Sequence, residues 1–135
     1  MINPLDSINA MRKLLFIILI GSQPLFAQQE LERANTYFER AFYSDAIPLY
    51  EQLLPSNKSQ KVLKNLADSY YRTFDMPSAA RWYKTIISRY GQNIDASYYF
   101  KLNQSLKAIG KYDEAEKTLQ AVSYTHLTLP TNREV

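Results

Sequence analysis

Six side chains return in register after 33 residues, and that recurrence limits the possible folds more than any other feature of the chain. Ala34, Tyr37, Tyr43, Ala46, Tyr50 and Leu53 are answered by Ala67, Tyr70, Met76, Ala79, Tyr83 and Ile86. A third copy follows after a further 36 residues, fainter at Asn103 and Leu106 and clear at Tyr112, Ala115, Leu119 and Val122. A period of this length means one supersecondary unit used repeatedly. Each unit is too small to bury its apolar face alone and relies on its neighbour to do so.

The step inside each unit is helical. Leu31, Ala34, Phe38 and Ala41 advance by three and four residues, as do Leu63, Leu66, Tyr70 and Phe74, which lays them along one face of a helix. Proline and glycine mark the ends of the same segments. Pro48 and Pro77 fall where first turns are expected, Pro55 and Gly91 follow second helices, and Gly110 sits at a turn that favours a left-handed residue. Ser44 or Asp45, Asp75 and Asp113 are the N-cap candidates. Helices are therefore predicted over about 28–41, 45–54, 58–73, 77–89, 95–109 and 113–122.

A small residue, an aromatic three positions on, and a second small-to-aromatic step resemble the tetratricopeptide repeat, whose period is about 34 residues. The likeness covers Gln28 to Val122 and is strongest in the run Gly110-Lys-Tyr-Asp-Glu-Ala115. It implies an all-α, right-handed α-solenoid of three helix pairs, over about 28–57, 58–93 and 94–122. Ala46 and Ala79 would stand where paired helices cross most closely. The large aromatic that the family carries early in its first helix is absent, and Trp82 is expected in a second helix, packed toward a neighbouring repeat.

The two ends read differently. Arg12 and Lys13 precede the apolar run Leu14 to Ile20, then Gly21, Ser22, Gln23 and Pro24, with Ala27 as a small residue before a cleavage point. This order is that of a secretory signal, so residues 1–27 are expected to be an upstream extension and a signal peptide. At the other end Val122 to Thr131 resembles a tail found on unrelated gene models that reads as translated sequencing adapter. Residues 123–135 are accordingly expected to be an irregular, non-native tail, with the natural protein continuing differently.

Several kinds of chemistry have little to work with. The chain of 135 residues has no cysteine and one histidine, His126, which removes disulfides, thiolate metal sites and cysteine nucleophiles. There is no glycine-rich phosphate loop and no metal-ligand spacing, so no catalytic residue, no metal site and no cofactor is expected. Asp113, Glu114 and Glu116 are explained by a helix start, where acidic side chains favour the dipole. Residues 28–122 carry thirteen basic and eleven acidic side chains, too even a balance for binding a phosphate backbone, and nucleic acid is not an expected partner.

In the family resembled, the first helices of the repeats line a concave groove that binds peptides or partner helices. On that frame Asn35, Phe38, Lys61, Lys64, Asn65, Asp68, Tyr71, Arg72, Phe100, Lys101 and Gln104 face the groove. Asn35, Asn65 and Lys101 match three positions of the family's peptide-carboxylate clamp, while Leu31 and Ser97 occupy its two lysine places. The resemblance implies a non-catalytic protein-binding scaffold with a protein or peptide ligand. The export signal directly before the repeats is similar to envelope proteins of the OmpA family, which implies a periplasmic or outer-membrane location and a peptidoglycan-binding domain further on. A competing expectation is a glycan-binding or accessory domain of a cell-wall enzyme, with groove aromatics stacked on sugars.

Overall fold

The computed structural model describes residues 3–21, 23–91 and 93–126. The described residues form seven helices and no strand: α1 (Pro4–Gly21), α2 (Gln23–Glu39), α3 (Tyr43–Leu53), α4 (Gln60–Arg72), α5 (Met76–Tyr90), α6 (Ala96–Ala108) and α7 (Tyr112–His126). Each helix from α2 onward packs against the next, so α2/α3, α4/α5 and α6/α7 are three hairpins stacked into an α-solenoid. The six predicted helices are all present. Among the described residues no helix is long and apolar enough to cross a membrane.

The recurring side chains hold the stack together. Ala34, Ala46, Ala67, Ala79 and Ala115 are fully buried, and Tyr50, Leu66, Tyr83 and Ile86 have no exposed surface beside them. Alanine lets the backbones approach, and the tyrosine or isoleucine fills the space that opens alongside; burying each large side chain contributes roughly 1.5–3 kcal/mol. Two apolar clusters result, one around Ala46 and Tyr50, the other around Ala79 and Tyr83. Trp82, Tyr70 and Leu54 pack against both, so Trp82 joins neighbouring repeats from its second helix.

One repeat position was not anticipated. Thr36, Ser69 and Ser105 occupy equivalent places in α2, α4 and α6, and each hydroxyl donates to the carbonyl four residues back, at 2.9, 2.7 and 2.8 Å. That bond satisfies the hydroxyl within its own helix, so Ser69 and Ser105 are buried completely at no polar cost.

The turns inside the hairpins are built alike. After α2 the Phe42 N–H reaches the Tyr37 carbonyl at 2.9 Å, after α4 Asp75 reaches Tyr70 at 3.0 Å, and after α6 Lys111 reaches Leu106 at 2.8 Å. Each is a Schellman closure, whose penultimate residue lies in the left-handed region. That residue is Gly110 at φ 78°, as expected, but it is Ala41 and Phe74 in the first two repeats, both at φ 62°.

The caps depart from expectation in three places. Ser44 and Asp45 fall inside α3, which begins at Tyr43 after Phe42 and has no side-chain cap. Asp113 lies within the first turn of α7 rather than before it. Pro48 stands inside α3, beyond its first turn. Asp75 does cap α5 through the Ser78 N–H at 3.1 Å; Ser59 and Asp95 cap α4 and α6.

At the ends, α2 runs unbroken through Ala27, which packs against the first cluster. The boundary drawn after residue 27 therefore falls within a helix. α7 continues to His126, four residues past the predicted end at Val122. The remainder of the expected tail, residues 127–135, lies outside the described residues.

Candidate functional site

The first helices α2, α4 and α6 lie side by side, and most of the predicted groove residues meet where second-helix tyrosines reach between them. In the first such junction Tyr50 of α3 donates its hydroxyl to Asn35 Oδ1 of α2 at 2.8 Å and accepts from Asn65 Nδ2 of α4 at 2.9 Å. Asn65 Nδ2 also lies 3.4 Å from Asn35 Oδ1. In the second junction Tyr83 of α5 donates to Asp68 Oδ1 of α4 at 2.5 Å, and Lys101 Nζ of α6 donates to the same oxygen at 2.7 Å. Lys64 reaches Asp68 Oδ2 at 3.5 Å.

These two junctions are one design used twice. Asn35, Tyr50 and Asn65 of the first correspond through the repeat to Asp68, Tyr83 and Lys101 of the second: an acceptor on one first helix, a hydroxyl on the second helix, a donor on the next first helix. The sequence reading placed Tyr50 and Tyr83 in the core, where their rings are, and missed that their hydroxyls are the centres of polar nodes. The signal was available in the repeat spacing, since the first two members recur after 33 residues and the third after 36. At the third repeat the node is not continued, since Gln104 and Leu119 hold the places of the acceptor and the tyrosine.

The electrostatics follow from burial. Asp68 is 7% exposed and balanced by two ammonium groups; a carboxylate left there without partners would cost several kcal/mol (about 3–5). Burial and the hydrogen bond to Asp68 push the Tyr83 phenol well above the ordinary tyrosine range. Burial likewise raises Tyr50, partly offset by the Asn65 hydrogen bond, and raises Tyr98. Lys101 Nζ is also 6.0 Å above the Tyr83 ring, which adds a cation–π attraction.

The predicted site residues thus divide. Asn35, Asn65, Asp68 and Lys101 are members of the nodes, and their polar groups are engaged with one another. Of the clamp-like positions, then, Asn35 and Asn65 share their amides with Tyr50, and Lys101 is held by Asp68. Phe38 leans edge-on against Tyr43 and Tyr50 at 5.5 and 6.4 Å, and Tyr71 against Tyr83 at 6.2 Å. Arg72 sits 6.0 Å over the Tyr43 ring. Lys61 and Gln104 are exposed, and so is Phe100, at 56%. Among the described residues no group of three or more His, Asp or Glu side chains converges as a metal ligand set.

Stacked helical hairpins with buried alanine crossings and a lined face of first helices define a tetratricopeptide-type repeat protein, a class that is in general a non-catalytic module for protein–protein interaction. The chain belongs to the family described as anaphase-promoting complex, cyclosome, subunit 3, whose model matches residues 39–122. Those residues cover α3 to α7 almost entirely. No curated protein matches the chain.

Proposed function

We propose that this chain is an exported scaffold of a Gram-negative cell envelope that holds a segment of another protein on its α2–α4–α6 face, as the repeat-bearing part of a longer outer-membrane or peptidoglycan-associated protein. The observation that carries the binding reading is the state of that face. Asn35, Asn65, Asp68 and Lys101 are fixed by the two nodes, so these groups need little ordering, while Phe100 of α6 stands exposed. A preorganised surface with an open aromatic binds at low entropic cost. Export is supported by the charge pair Arg12–Lys13, the apolar run after it and the small residue Ala27. The resemblance to OmpA-family envelope proteins supports the attachment to peptidoglycan.

Two measurements test this. A C-terminal fusion to a reporter that is active only after export should be active, and its activity should vanish when Leu14→Arg and Ile17→Arg are introduced together. Cytoplasmic retention of the unaltered fusion would refute the location. Chemical cross-linking in whole cells should capture the same partner with the unaltered chain and lose it with Phe100→Ala plus Tyr71→Ala. Undiminished capture by that variant would refute the face.

A further inference from the structure

We propose that the segment held on this face is acidic and carries a large apolar side chain, and that it lies over α4 and α6 rather than α2; this rests on the reading of the face as a peptide groove. The argument is the distribution of charge. On the α4–α6 part of the face, Lys61, Lys64 and Arg72 of α4 and Lys101 of α6 stand with one acid, Asp68. Over residues 28–122 these account for four of thirteen basic and one of eleven acidic side chains, leaving nine basic against ten acidic elsewhere. The positive excess of the repeats is therefore concentrated in this strip.

The strip is also polarised along the array. Glu32 and Glu39 of α2 hold the places that Asn65 and Arg72 hold in α4, so the face turns from negative to positive between the first repeat and the second. Asp68 does not cancel the strip, because one carboxylate is shared by two ammonium groups that remain partly exposed: Lys64 at 44% and Lys101 at 30%. Lys101 is hydrogen-bonded to Asp68 and Lys64 pairs with it at 3.5 Å, and each ammonium has N–H donors beyond that contact from which an incoming carboxylate can accept. Phe100 holds in α6 the place that Lys64 holds in α4 and is 56% exposed, which sets an apolar side chain on the same face as the cations. Charge complementarity of this kind sets partner choice and association rate.

The test uses the full chain and three short fluorescein-labelled peptides that share a central Phe and differ only in flanks of Asp and Glu, of Asn and Gln, or of Lys. Anisotropy is read at low and raised salt, with a single-stranded oligonucleotide of the acidic peptide's charge as a fourth probe. The acidic peptide should bind tightest and weaken with salt. Lys61→Gln and Arg72→Gln, both away from the Asp68 node, should each weaken it by about two- to fivefold. Glu32→Gln should tighten it by a similar factor, and replacing the peptide's Phe by Ser should weaken it on the order of tenfold. Equal binding of the neutral peptide, or preference for the basic one, overturns the acidic assignment and leaves the groove standing. Oligonucleotide binding as tight as the acidic peptide's also overturns it, because the surface would then read charge without a peptide. If no peptide of any charge binds, the groove reading itself falls.

Discussion

Replacing Ala41 with glycine should stabilise this chain, against the usual direction of an alanine-to-glycine change beside a helix. Ala41 closes α2 in the left-handed region at φ 62°, with its neighbour's N–H bonded to the Tyr37 carbonyl at 2.9 Å. A residue with a Cβ pays about 1–2 kcal/mol to sit there. Glycine removes that cost but gains freedom in the unfolded chain that takes back about 0.4–1 kcal/mol. The net expectation is a gain of about 0.8 kcal/mol, or a rise in Tm of roughly 3–6 °C for an array of this size. Gly110 occupies the same place after α6 at φ 78°, and a Cβ built on it meets no atom within 4 Å. Gly110→Ala should therefore lose about the same net 0.8 kcal/mol, backbone strain less the unfolded-chain entropy, with no clash added. Urea denaturation followed by far-ultraviolet circular dichroism measures both variants. The double variant should return close to the parent, since the two turns lie in different repeats. Loss of stability in Ala41→Gly, or a neutral Gly110→Ala, would refute the strain argument.

Other outcomes follow from the nodes and the core. Tyr83→Phe should destabilise by about 1.5–3 kcal/mol because its hydroxyl serves a charged acceptor, and Tyr50→Phe by about 1 kcal/mol because its partners are neutral; chemical denaturation showing equal costs would contradict this. Trp82 Nε1 is buried without an acceptor, so Trp82→Phe should stay within about 1 kcal/mol of the parent while Trp82→Ala loses about 3 kcal/mol by opening space between repeats. The chain should unfold in alkali: Tyr50, Tyr83 and Tyr98 are raised, and Tyr70 is pushed up to about 12 by burial and Glu51. A raised phenol holds its proton in the folded state, so its stabilisation is complete below the unfolded value near 10 and drains away as pH climbs beyond it, by about 1.4 kcal/mol per unit per group. Tyrosinate absorbance and circular dichroism should change together there; ionisation of all eleven tyrosines with the helices intact would count against it.

How much was legible follows from what each residue does. Ala46, Ala79 and Ala115 could be read as crossing points because only a small side chain serves where backbones meet, so the hairpins were visible in the spacing. The left-handed turn at Gly110 was visible for the same reason, glycine being the usual solution. Ala41 and Phe74 do the same job without glycine's signature, and nothing in their identity announces it. Ser44 and Asp45 looked like caps because both residue types favour that position, but the Schellman closure before them starts α3 at Tyr43. Ser59 and Asp95 were overlooked as caps because each sits in a loop of polar residues with no contrast. Tyr50 and Tyr83 were read by their rings alone, since one side chain can fill a core and still carry a hydroxyl to a neighbouring helix. The groove positions came from the family frame, and which of their polar groups are engaged with one another depends on distances between repeats that no single helix pattern contains.

The doubled node has a mechanical consequence. Each spans three helices of two hairpins through hydrogen bonds that tolerate only a few tenths of an ångström, so tilting one hairpin against the next must stretch such a bond before any apolar contact opens. The angle between units is thus set like the pin of a hinge, and the spacing of side chains across the array stays constant whether or not anything rests on it. Because Lys101 carries the second node into α6, both joints among the three hairpins are pinned in this way.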